Sequence, residues 1–74
     1  MFRIRSRPFA DYISNTPETG MGYWIVTAYL KDGRVYRQVL VEGGYVSRVR
    51  GEIRVPFSEE DVDRFVVTHE KWKG

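Results

Sequence analysis

No cysteine occurs among the 74 residues, which excludes a disulfide framework, a cysteine-ligated zinc site and a thiol nucleophile together. Its absence also fits a reducing, cytoplasmic address. Histidine is almost as scarce. His69 is the only one, so no second imidazole can share a metal and no thiol is there for it to activate. The longest apolar stretch lies within Tyr23–Leu30, far short of the ~20 residues that cross a bilayer. The basic start, Met1–Arg7, is not followed by the apolar segment of a signal peptide. These absences leave no catalytic set, no metal site, no cofactor, no small-molecule substrate and no membrane anchor to expect.

What is present belongs to a single domain over residues 1–74. Hydrophobic residues make up 42% of the chain and aromatics 15%, too many for disorder. A chain this short buries only roughly 60% of the surface its unfolded form exposes, so self-association would add useful core. Net charge is +2 but unevenly spread. Residues 1–56 hold nine basic and five acidic residues (+4), and residues 57–74 hold three and five (−2).

The strongest local signal is Asp32-Gly33, set between the alternating runs Tyr23–Leu30 and Arg34–Val41. Asp-Gly supplies the positive φ angles of a two-residue type I′ turn, so the spacing predicts a hairpin of defined register. Glu42-Gly43-Gly44 then leads into Tyr45–Arg50. A two-residue turn there would put three arginines on the apolar face. A three-residue loop pairing Val41 with Tyr45 separates the faces, and is preferred.

Upstream, Phe2–Arg7 alternates and reads as an edge strand ended by Pro8, with Phe9–Ile13 a short strand or turn. Residues 14–22 read as a loop. Downstream, Ser58-Glu59-Glu60-Asp61 matches a capping box. Val62, Phe65, Val66 and His69 recur at helical spacing, which predicts a helix over about residues 59–70. Val66-Val67-Thr68 favours strand locally, so a terminal strand after a shorter helix is the other reading.

The expected fold is therefore α+β: an antiparallel meander of three to five strands with one C-terminal helix packed on its apolar face. The alternative is a small SH3-like β-barrel, with residues 14–22 as its long loop and residues 59–66 as a short helix. In the preferred register Trp24, Val26, Ala28, Leu30, Val35, Val39, Val41, Tyr45 and Val49 form the core face, with Arg37 the misfit.

Chemistry has few places to reside. His69 lies near the buried edge of the expected helix with no partner set. The acidic run Glu59–Asp63 lacks the alternating oxygen ligands and glycine of a calcium loop; it sits where a helix N-terminus favours negative charge. Gly20-Met21-Gly22 lacks a third glycine and precedes a strand, unlike a dinucleotide fingerprint.

What remains is the second sheet face, carrying Ile25, Tyr29, Tyr36, Gln38, Leu40, Val46, Arg48 and Arg50, with Arg34 at the hairpin tip. Aliphatic and aromatic side chains rimmed by arginine make the composition of a protein interface, with a protein partner or a second copy as occupant. The alternative is single-stranded nucleic acid, RNA or DNA, with tyrosines stacking bases and arginines meeting phosphates. Arginine outnumbers lysine nine to three, which leans toward the nucleic-acid use, whereas the interface use accounts better for Ile25 and Leu40.

Overall fold

The computed structural model describes residues 1–74. In chain order the elements are β1 (Phe2–Arg3), α1 (Arg7–Ser14), β2 (Trp24–Leu30), β3 (Val35–Glu42), β4 (Tyr45–Val49), a one-turn 3-10 helix (Glu59–Asp61) and β5 (Val62–Thr68). All five strands join one antiparallel sheet in the order β1-β4-β3-β2-β5, curled into half a barrel. The end strands β1 and β5 are not neighbours, so the curl stays open. Phe57 joins the core, with Phe2 and Tyr36 rings 5.9 and 5.4 Å away. No helix is long and apolar enough to cross a membrane.

Asp32-Gly33 does reverse the chain, but not through a two-residue turn. Gly33 N–H donates to the Leu30 carbonyl (3.0 Å) and Leu30 N–H to the Arg34 carbonyl (2.9 Å). Only Gly33 among the tip residues has a positive φ, 95°. Lys31, Asp32 and Gly33 therefore form a three-residue loop ending in a left-handed glycine. Conversely, Gly43 and Gly44 both have positive φ and join Glu42 to Tyr45 directly, as a two-residue primed turn does. The two hairpins thus use each other's expected turns.

Three β-bulges absorb the consequences. In β3, Arg37 and Gln38 together face Thr27; in β4, Ser47 is the extra residue; in β5, Asp63 is. Each bulge lies between two inward side chains three positions apart: Tyr36 and Val39, Val46 and Val49, Val62 and Phe65. A bulge inserts one residue and sharpens the local bend, so three of them account for the curl of a short sheet. They also exchange neighbours between faces. Val35 and Tyr45, expected in the core, are 41% and 40% exposed. Tyr36 and Val46, expected on the second face, pack into or against the core instead. Arg37, the expected misfit, is exposed.

The helix is at the other end of the chain from the one expected. Ser6 caps α1, its hydroxyl accepting from Phe9 N–H (3.4 Å), and Pro8 stands in the first turn, where its missing N–H costs nothing. Phe9, Ala10 and Ile13 turn to the concave apolar face of the sheet, Phe9 meeting Phe65 edge-on at 5.1 Å. Downstream, the Ser58 cap is real: its N–H and hydroxyl donate to the Asp61 carboxylate at 2.9 and 3.1 Å. Only one 3-10 turn follows before residues 62–68 enter the sheet beside β2. Val62, Val66, Val67 and Thr68 are β-branched, and pairing satisfies a β2 edge that would otherwise be bare.

A main-chain bond ties this turn to the hairpin tip, Lys31 N–H donating to the Asp61 carbonyl at 2.8 Å, and a carboxylate stabilises each side locally. The Ser58 N–H and hydroxyl hold the Asp61 carboxyl below the ordinary aspartate value of 3.8. The Arg34 N–H and guanidinium do the same for Asp32. A lowered folded value means stability that is present above the unfolded value and lost as pH falls through it. Urea midpoints are expected to hold steady down to about pH 5 and then decline below about pH 4. The decline should be shallower in an Asp32→Asn/Asp61→Asn variant, and an identical slope would contradict these assignments.

Candidate functional site

The convex face of the sheet is built in three rows. Thr68, Ile25, Leu40 and Arg48 stand side by side across β5, β2, β3 and β4. Next come Val66 and Thr27, with Gln38 and then Arg50, whose N–H donates to the Gln38 carbonyl at 2.9 Å. The third row holds Arg64, Tyr29 and Val35, with the Arg64 guanidinium 4.2 Å from the Tyr29 ring centroid. That distance is well inside cation–π range.

An open face would leave its central residues exposed, yet Ile25 is 0% and Gln38 7% exposed. Ile25 is moreover absent from the main core cluster on the other face. The chain's own C-terminal segment supplies the cover. Beyond Thr68 it leaves the sheet edge, and Lys73 N–H donates to Gln38 Oε1 at 2.9 Å, two strands inward. Trp72 is half-buried, with the Arg48 guanidinium 5.8 Å from its ring. Two strand spacings are about 10 Å, well within the reach of five extended residues. The tail therefore lies as a strap across β2 and β3 to the flank of β4. Its root is fixed by Thr19, whose hydroxyl donates to the Thr68 carbonyl (2.7 Å) and accepts from Ile25 N–H (2.9 Å).

Of the residues expected on this face, the structure brings together Ile25, Tyr29, Gln38, Leu40, Arg48 and Arg50. Tyr36 and Val46 are on the core face. Arg34 stands at the tip with its guanidinium on the Asp32 carboxylate at 2.8 Å. Sequence reading missed Arg64, Val66, Thr68 and above all Trp72. The signal for Trp72 was available: a large aromatic ring within Glu70-Lys71-Trp72-Lys73 needs apolar surface to rest on, and a polar terminus offers none.

Arg48 also borders a cleft of about 520 Å³ between β4 and residues 52–58, floored by Val49 and Phe57. Met1 and Ile53 line it while themselves largely exposed. Arg54 is in its wall. Arg48 thus stands between the strap and this cleft.

The fold and the site define a small α+β domain of β-rich build. Comparison of the chain with protein-family models, with curated proteins and with solved structures finds no match.

Proposed function

We propose that this chain is a non-enzymatic binding module, cytoplasmic, that engages a protein partner or a second copy of itself through the convex sheet face. The observation that carries this reading is the place of Arg48 between two patches of apolar surface, beside Trp72 on one side and in the wall of the cleft on the other. Leu40 and Trp72 are half-buried on one side, and Met1 and Ile53 are exposed on the other. Aromatic and aliphatic surface ringed by arginine is what protein interfaces are enriched in. Photocrosslinking residues placed at Tyr29 or Val66 in the producing cell are expected to give discrete adducts with a protein. The same probe at the exposed Met21, in the loop before β2, should give none. Equal labelling at all three positions, or none anywhere, would overturn the proposal.

Single-stranded nucleic acid is the second reading, favoured by the Arg48 guanidinium beside the Trp72 ring, which lies between Lys71 and Lys73. A ring beside several cations suits stacking on an unpaired base with phosphates at its flanks. On that reading a labelled oligonucleotide binds saturably, weakens steeply with salt, and is lost in Arg48→Glu/Arg50→Glu. Unchanged binding in that variant would remove it.

A further inference from the structure

Within the proposed docking face, on which this step rests, one buried group is left unmet. Gln38 is 7% exposed, and its Nε2 has no hydrogen-bond partner. Its Oε1 does have one, the Lys73 N–H of the strap. Because that oxygen accepts a main-chain donor, the amide orientation is fixed and the orphan is a donor. Buried polar groups are nearly always satisfied, so an unmet one under a strap identifies a missing acceptor.

A glutamine amide presents an acceptor and a donor side by side, and one extended peptide residue offers the complementary N–H and C=O. The strap supplies only the N–H. A second mismatch is electrostatic, since Lys71 and Lys73 bring positive charge to a site already flanked by Arg48 and Arg50. The aromatic ring, by contrast, is well placed beside the Arg48 guanidinium.

We infer that the sheet surface over Ile25, Gln38 and Leu40 is a peptide site held by the chain's own tail. Its proper occupant is an extended, acidic segment of a protein partner carrying one large aromatic residue. The partner's ring takes the place of Trp72, and its acidic flanks face Arg48 and Arg50. One of its peptide residues meets both atoms of the Gln38 amide. The tail has the advantage of attachment, which gives it an effective concentration of order millimolar. An untethered partner displaces it only by making the contacts that the tail fails to make.

Two synthetic probes test this on the full chain: the tail hexapeptide His-Glu-Lys-Trp-Lys-Gly and its acidic analogue His-Glu-Glu-Trp-Glu-Gly. NMR titration of the isotope-labelled protein should show the acidic analogue binding at least tenfold tighter than the tail peptide. Binding should shift the Gln38 side-chain amide and release the Trp72 indole to its solvated position. Trp72→Ala in the protein should strengthen binding of both probes, and Gln38→Met should weaken that of the acidic analogue at least fivefold. Replacing the probe's own tryptophan by alanine should abolish binding, a control that leaves the protein unaltered. No binding to either the wild type or Trp72→Ala, or binding indifferent to the probe's tryptophan, would overturn the inference. If probes fail while crosslinks at Tyr29 still form, the docking face stands and the peptide site falls. If probes bind but no crosslinks form, the peptide site stands and the broader partner reading falls.

Discussion

Val46→Asp is expected to unfold the chain, whereas Tyr45→Asp, one residue earlier on the same strand, is expected to leave it folded. Val46 is fully buried opposite Val41 in the core cluster. A carboxylate there has no cation to pair with, and breaking into a core in this way costs several kcal/mol. A chain of this length has roughly 4–11 kcal/mol of stability in total. Tyr45 is 40% exposed and sits opposite Glu42, with Arg3 on its other side. Loss of its cross-strand contacts is worth about 1 kcal/mol at most. Circular dichroism with urea denaturation separates the two outcomes. The reverse order is what strict alternation from a three-residue Gly43-Gly44 loop would give, and it would contradict the bulge at Ser47.

Phe65→Ala carries the second largest effect. Phe65 is buried opposite Ala28 and meets the Phe9 ring edge-on. Truncation removes one of the contacts that hold α1 on the sheet, at a cost of about 3–5 kcal/mol. That is a large share of the roughly 4–11 kcal/mol available, so the urea midpoint should fall steeply. Val66→Ala on the opposite face should cost no more than about 0.5 kcal/mol. If residues 59–70 formed one helix, Val66 would share the buried face with Phe65 and both substitutions would be costly. The difference between them, read from urea midpoints, distinguishes strand from helix.

Both predictions trace to one sequence pattern that misleads simple counting. Tyr36-Arg37-Gln38-Val39, Val46-Ser47-Arg48-Val49 and Val62-Asp63-Arg64-Phe65 each place two polar residues between two apolar ones. Spacing of three resembles helical periodicity, which is why residues 62–69 read as a helix. In a strand the same spacing marks a bulge, with both polar side chains out and both apolar ones in. The existence of β2, β3 and β4 and of two hairpins was legible from alternation and glycine placement. The turn types were not, because the choice between a two- and a three-residue turn depends on which bulge the rest of the sheet accommodates. The helix α1 was legible in Ser6, Pro8 and the Phe9–Ile13 spacing. It was obscured because Pro8 also ends a strand convincingly.

The candidate face was legible in part for the same reason. Ile25, Tyr29, Leu40 and Arg48 lie outside the altered stretches or keep their side through them, while Tyr36 and Val46 sit immediately beside bulges and change sides. The one local hint, an aromatic ring in a polar terminus, says that Trp72 needs cover but not where on the fold the tail finds it. That is a tertiary event, settled by the apolar surface of Ile25 and Leu40 and by the needs of Trp72. The strap also explains how a small domain holds an aliphatic face without leaving it bare.

Placing the tail on that face is the step from which the functional reading follows, and nuclear Overhauser contacts test it directly. In the full-length protein the Trp72 indole should show cross-peaks to the Leu40 methyls and the Arg48 side chain, and the Lys73 amide should show them to the Gln38 side chain. A tail with no such cross-peaks, and with Trp72 resonances at their solvated positions, would contradict the strap and leave the convex face without its occupant.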